Sequence, residues 1–352
     1  MRTKPRLLVL GPQVGRNPGQ VTTQGERLAD LLARDGYVLE QASSLYNRYL
    51  RALHIFFVAL TRCRLARVVI LQVYSGPSFV VEDIASFLVR RCGRRIVMHC
   101  HGGNLPEFKA RFPNWTARVL ARADIIITPS RYLERVLRRA GVPCAIIPNT
   151  IELTLYPYRH RARLRPKLLW MRAFHQQTYN PAMAVRVFAR VKRQIPEATL
   201  VMAGQYDPAQ RDVERLAREL GVANSIRFAG FLDMGAKKLE AEDADIFVNT
   251  NYIDNMPVGV VEAFAFGLPV VATNVGGIAD LIVEGETGLL VPADADNAMA
   301  EAIVRLLRDP ELAGRLSSNG RKYAETCGWD SVKPRWEQIL AEVNEPLEQK
   351  RE

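Results

Sequence analysis

Asp254 and Glu262 are carboxylates eight residues apart in the run Asp254-Asn-Met-Pro-Val-Gly-Val-Val-Glu262-Ala-Phe-Ala-Phe-Gly267-Leu-Pro-Val-Val-Ala272. Pro257 and the apolar residues after it mark a loop turning into a helix, so the two acids straddle a helix start. Backbone N–H groups at such a start favour an anionic phosphate, and carboxylates on either side accept hydrogen bonds from sugar hydroxyls. That combination suits a nucleotide sugar.

The elements around the run are those needed to hold it. Ala244–Thr250 reads as a buried strand and Leu268–Ala272 as the next, giving a strand, acidic loop, helix, strand unit. The same alternation fills the chain. In the first half the predicted strands are Leu7–Leu10, Tyr37–Gln41, Arg67–Val73, Arg95–Cys100, Asp124–Thr128 and Cys144–Ile147. Helices are expected over Val21–Arg34, from the turn at Pro77 to about Arg91, and over Ser130–Ala140. In the second half strands are expected at Leu168–Met171, Thr199–Ala203, Ile226–Ala229 and Gly288–Val291, with helices over Pro181–Gln194, Pro208–Leu220 and Ala295–Leu307. Strands separated by helices predict parallel, doubly wound α/β sheets.

A length of 352 residues predicts two domains. The expected division is 1–155, a linker over 156–167 with two prolines and five basic residues, a second domain over 168–330, and a helical tail over 331–352 packing back on the first. No window of about 18 apolar residues occurs, and the N-terminus lacks the apolar core of a signal peptide. The five cysteines show no CxxC spacing and read as reduced, buried thiols of a cytoplasmic protein. Residues 1–150 carry 23 Lys/Arg against 9 Asp/Glu, whereas the remainder carries 25 against 28. A basic half of this kind points to an anionic partner. Nucleic acid is not expected, because no aromatic-interleaved basic motif accompanies the charge.

Several segments resemble the retaining family-4 glycosyltransferases. The D-x7-E run is similar to that family's E-x7-E region. Pro18-Gly19-Gln20-Val21 is similar to its N-terminal glycine loop, His101-Gly102 to its HG motif, and Ile147-Pro-Asn-Thr-Ile-Glu152 to its hinge element. Trp170-Met-Arg172 is similar to its arginine-bearing strand end, and Gly276-Gly277 and Thr287-Gly-Leu-Leu-Val-Pro292 also fit. The resemblance implies a GT-B fold, with two Rossmann-like domains facing across a cleft. It implies that Glu262 accepts from the donor ribose, that Asp254 holds the donor sugar, and that amides of Val258, Gly259 and Val260 take diphosphate oxygens. Met256, Pro257 and Gly230 join this donor-binding set. Arg172 would neutralise the departing diphosphate, with His101 near the reacting sugar, and Gly19 and Gln20 would form the acceptor or phosphate loop.

The chain departs from the family at informative places. Asp254 stands where a Glu is usual, Gln20 where a second glycine is, and Thr150 where the hinge glycine is. The lysine that usually follows the arginine is missing; His175, Gln177 and Tyr179 are offered instead, and His175 is the catalytic candidate among them. Asp243-Ala-Asp245 and Asp294-Ala-Asp296 look like metal-binding DxD pairs. The first precedes its strand and the second opens a polar helix, so neither a metal nor a resident cofactor is expected.

The segment Tyr46–Arg67 is apolar at Leu53, Ile55, Phe56, Phe57, Val58 and Leu60, with arginines at 48, 51, 62, 64 and 67. As a helix it suits an anionic bilayer, or equally the core of a basic domain. The expected function is therefore transfer of a hexosyl group from a nucleotide-diphosphate sugar to a glycan or lipid-linked hydroxyl. That reading places the protein in the cytoplasm, peripheral on the inner face of the membrane, in cell-surface polysaccharide or glycolipid synthesis. A GT-B epimerase or phosphorylase, and a catalytically weak scaffold member, are the alternatives.

Overall fold

The computed structural model describes residues 4–138 and 141–345; the end of the helix expected over Ser130–Ala140 and the tail from 346 lie outside the described residues. The chain divides into two compact units. One comprises the residues up to Thr150 together with those from Trp329, and the other Ile151–Gly328.

In the first unit β1 (Leu7–Leu10), β2 (Leu39–Ala42), β3 (Val68–Val73), β4 (Arg95–Cys100), β5 (Ile125–Thr128) and β6 (Cys144–Ile146) form a parallel sheet ordered β2-β1-β3-β4-β5-β6. Alternate side chains enter two cores. Leu8 and Leu10 pack with the helices Arg48–Arg62, Phe79–Arg91 and Arg131–Leu137. Leu7 and Val9 pack with the helix Gln24–Arg34 and with Trp336, Ile339 and Leu340 of the final helix, Trp329–Asn344. Parallel strands covered on both faces read as nearly continuous apolar runs, which is why β1 is apolar throughout and β3 departs only at Gln72.

The second unit repeats the plan. Its strands are β7 (Lys167–Met171), β8 (Thr199–Ala203), β9 (Ile226–Gly230), β10 (Ile246–Asn249), β11 (Val270–Thr273) and β12 (Leu289–Val291). Their order is β12-β11-β10-β7-β8-β9, all parallel. Two six-stranded parallel sheets with helices on both faces make two Rossmann-like units.

Four expectations need correction. The first helix begins at Gln24, not Val21, because the Thr23 side chain and Glu26 close a capping box there. The first unit ends at Thr150, inside the hinge-like element. The segment expected as a linker over 156–167 packs into the second unit: Tyr156 joins the core around Phe247 and Val260. Arg161 in the same segment is buried, with its guanidinium on the Ala244 carbonyl and beside Asp245. Lastly, Cys63 and Cys92, expected as free thiols, form a disulfide. They end two adjacent helices, a proximity that sequence spacing cannot show. Cys100, Cys144 and Cys327 stand outside this disulfide.

Candidate active site

β7 delivers Arg172 to its C-terminal end, and the loop after β10 delivers Asp254. Arg172 Nη2 donates to Asp254 Oδ2 at 2.8 Å. Asp254 also accepts from Asn251 Nδ2 at 2.7 Å and from the Asn255 amide at 2.8 Å. Burial raises the Asp254 carboxyl above its ordinary range, against the pull of the Arg172 charge and these hydrogen bonds. The guanidinium also lies 5.3 Å from the centre of the Tyr179 ring. Its Nε is buried and has no hydrogen-bond partner among the described residues. A buried unpaired guanidinium donor is costly, and an anionic oxygen would satisfy it.

Close backbone approaches fix this pair. A Cβ on Gly204 would fall 1.9 Å from the Arg172 carbonyl oxygen, and one on Gly276 would fall 2.2 Å from that of Asp254. Gly276 also has φ +51°. The Gly277 amide donates to the Asp254 carbonyl at 3.0 Å. Thr250 Oγ1 ties the loop after β10 to the Tyr179 and Asn180 carbonyls, and the Tyr252 amide donates to Thr178. The loops bearing the cation and the carboxylate are thus one hydrogen-bonded assembly.

The helix Val258–Phe266 starts beside them, with Pro257 as its cap and Met256 buried beneath. Gly259 lies against Arg172: a Cβ there would be 4.0 Å from the guanidinium carbon. The Val260 amide is already engaged with the Pro257 carbonyl at 3.0 Å. Val258 and Gly259 carry the first two amides of the helix, which precede the first amide engaged within this turn.

Glu262, one turn further on, is held more firmly than the sequence suggested. Lys237 Nζ donates to both of its oxygens, at 2.9 and 2.8 Å, and the Tyr156 hydroxyl to Oε1 at 2.8 Å. Lys237 lies on the helix Met234–Asp243 and Tyr156 in the supposed linker. Neither was identified from the sequence, since a lysine in a polar helix 25 residues away carries no signal. Gly204 was also missed, although a glycine directly after a buried strand hints at close approach. Gly230 ends β9 with φ +68°, and its carbonyl accepts from the Gly204 amide at 2.9 Å.

His175 does not join the Arg172 assembly by any recorded contact. It is exposed, caps the short helix Gln176–Tyr179, and its Nδ1 lies 2.9 Å from Thr178 Oγ1. Tyr179 takes the place beside the arginine. The DxD look-alikes are also committed elsewhere. Asp245 is buried among Arg159, Arg161 and Arg165, and Asp243 pairs with Lys167. Asp296 pairs with Arg186 and Arg190, while Asp294 accepts from Asn180 and Tyr252.

In the first unit, His101 follows β4. Its Nε2 lies 2.5 Å from Gln72 Oε1, and its ring stacks on Tyr74. An amide oxygen only accepts, so Nε2 carries the proton. Burial pushes the imidazole down to about 3, so the ring is neutral at neutral pH. A Cβ on Gly102 would press to 3.0 Å on the Ser75 amide. Gly19 has φ +72° with open space around its Cα, so backbone conformation selects glycine there. The Gln20 amide donates to Asn17 at 3.2 Å. Buried Glu26 accepts from the Gly15 and Thr23 amides and holds this loop in place.

Two Rossmann-like sheets, and in the second a helix start flanked by acids and an arginine, define a GT-B glycosyltransferase. The chain belongs to the family-4 glycosyltransferases: residues 27–155 match the profile described as Glycosyltransferase Family 4, and residues 160–323 that described as Glycosyl transferases group 1. It is 32% identical to the D-inositol 3-phosphate glycosyltransferase of Streptomyces bingchenggensis over 131 residues, 37% of this chain. That match spans only 29% of the relative's length. A longer match, 27% identical, covers 72% of this chain and 72% of the GDP-mannose-dependent alpha-(1-6)-phosphatidylinositol monomannoside mannosyltransferase of Mycolicibacterium smegmatis. Among solved structures, the sucrose-phosphate synthase of Thermosynechococcus elongatus shares the fold with a TM-score of 0.79. It is 19% identical and covers 96% of this chain and 98% of that one. Anabaena HepE, solved with UDP and glucose, has a TM-score of 0.74 at 16% identity, covering 96% of this chain and 100% of that one.

Proposed function

We propose that this chain is a retaining glycosyltransferase. It moves a hexosyl group from a nucleotide-diphosphate donor to a hydroxyl of a glycan or lipid-linked acceptor, in cell-surface polysaccharide or glycolipid synthesis. The observation that carries the reading is the half-buried Arg172–Asp254 pair at a helix start, with the buried arginine Nε left without a hydrogen-bond partner among the described residues. A diphosphate oxygen would complete Arg172, the Val258 and Gly259 amides would take its neighbours, and Asp254 would turn to the sugar hydroxyls. Glu262 would accept from the ribose. The relatives support this donor class, one being named for GDP-mannose and another solved with UDP.

In the step proposed, the bond from C1 to the diphosphate oxygen breaks and its electron pair leaves with the phosphate. The acceptor oxygen bonds C1 from the same face, and its proton passes to the departing phosphate oxygen. No protein nucleophile, metal or resident cofactor is assigned. Arg172 stabilises charge that grows on the leaving group, where a preorganised cation acts most strongly. Neutral His101 serves as a polar contact for the reacting sugar. The protein works as a peripheral protein on the inner face of the cytoplasmic membrane.

The test is turnover of a panel of nucleotide-diphosphate sugars, read as transfer, hydrolysis or release of a free epimer. Arg172→Ala is expected to lower kcat by about 10²–10³. Full turnover in that variant would reject the role of Arg172. A wild type that turns over no donor would reject the transferase reading, and a free epimer formed without acceptor would replace it.

A further inference from the structure

The helices Arg48–Arg62 and Phe79–Arg91 lie side by side in the first unit and are joined near their C-terminal ends by the Cys63–Cys92 disulfide. Each buries the expected inner stripe: Ile55, Val58 and Ala59 on one, Phe79, Ala85 and Val89 on the other. Each also carries a second apolar stripe facing solvent. On the first helix Leu53, Phe57 and Leu60 are 60–63% exposed, and Tyr49 extends the row by one turn. On the second, Val80, Ile84 and Phe87 are exposed at the same three- and four-residue spacing. A helix covering a soluble sheet needs one apolar face and gains nothing in water from two.

The polar margin of the first helix is one-signed. Between Glu40 and Glu82 the chain has no acidic residue, but it has arginines at 48, 51, 62, 64 and 67. Arg48, Arg62 and Arg64 are exposed. This charge pattern discriminates between occupants. A two-fold interface with a second copy would set guanidinium against guanidinium, with no carboxylate on the first helix to neutralise them and Asp83 of the second already held by Arg118 and Arg122. An anionic lipid surface neutralises the arginines and accepts the apolar stripes at once, and the arginine stems can lie along the acyl boundary with their heads in the phosphate layer.

We infer that the paired outer faces of the helices Arg48–Arg62 and Phe79–Arg91 form a docking surface for an anionic lipid bilayer. This names the surface that serves the membrane location proposed above, and it stands on exposure and charge, not on the donor site. The first unit thereby meets the membrane through two parallel helices held side by side. An acceptor carried on a lipid would reach the protein by diffusion within the bilayer plane.

The test is co-sedimentation of the full chain with phosphatidylcholine vesicles, with and without phosphatidylglycerol, across a salt series. Binding is expected only with the anionic lipid, and it should weaken steeply as salt rises. Leu53→Glu/Phe57→Glu should lower vesicle affinity by about tenfold or more. Arg48→Gln/Arg64→Gln should lower it by about fivefold per arginine. Retention of the thermal shift given by UDP in all variants would separate loss of docking from loss of folding or of the donor site. Absence of wild-type binding at low salt would overturn the inference, as would equal binding to neutral vesicles. It would also fall if Leu53→Glu/Phe57→Glu turned a dimer into a monomer without changing vesicle affinity.

Discussion

Lys237 supplies a cation to a site whose usual lysine is missing, but it supplies it to Glu262 and not to Arg172. The pair is largely buried, so removing the ammonium leaves a carboxylate with the Tyr156 hydroxyl as its recorded partner. Lys237→Met is expected to cost roughly 2 kcal/mol of stability. Because Glu262 is assigned to the ribose, bound alike in ground and transition states, KM for the donor should rise more than kcat falls. Thermal melts and initial rates check both, and an unchanged KM would detach Glu262 from the donor. A second residue-scale effect concerns Glu82. Burial pushes this carboxyl up to about 8 from an ordinary 4.5, opposed by its hydrogen bond from the Tyr74 amide, and its Oε2 is buried without a hydrogen-bond partner among the described residues. A folded-state pKa above the unfolded one means that the folded state binds the extra proton. The stabilisation is complete below about 4.5 and is lost as pH rises through about 8. Glu82→Gln should flatten the decline of the melting temperature over that window, and a slope equal to wild type would contradict it.

At the scale of elements, glycines set the clearances that let strand ends and loops meet. Gly276→Ala would place a methyl group 2.2 Å from the Asp254 carbonyl oxygen at a positive φ. The loop after β11 must then retreat, costing about 1–3 kcal/mol and displacing Asp254 from Arg172. Lower turnover with a lowered melting temperature is expected, and wild-type values in both would show that the approach is dispensable. Most elements were legible in the sequence, because parallel strands covered on both faces must be largely apolar, as Leu7–Leu10 and Val68–Leu71 are. Pro181–Gln194 was legible to the residue from its proline start and apolar period. The helix Met234–Asp243 was not, since it buries only Ala241 and shows no apolar stripe. Asp254, Glu262 and Arg172 could be singled out from local motifs. Their partners Lys237, Tyr156 and Gly204 come from distant segments that only the fold brings near, and the Cys63–Cys92 pairing was hidden for the same reason.

At the scale of the molecule, the chain passes from the first unit to the second after Thr150 and returns after Gly328. The return segment covers a sheet face that otherwise has the helix Gln24–Arg34 as its main cover, through Val332, Trp336, Ile339 and Leu340. Residues 4–150 alone should therefore expose Leu7, Val9 and Ile70 and aggregate, whereas a direct fusion of 150 to 329 should be soluble. Solubility and dye binding of the two proteins decide this; a soluble, dye-free 4–150 would show the return segment to be unnecessary. During synthesis the consequence is one of timing. The unit made first is the last to be completed, because its sheet stays half-covered while residues 151–328 are translated. At about 5–20 residues per second that wait lasts roughly ten to forty seconds, long enough for a chaperone to engage the nascent sheet.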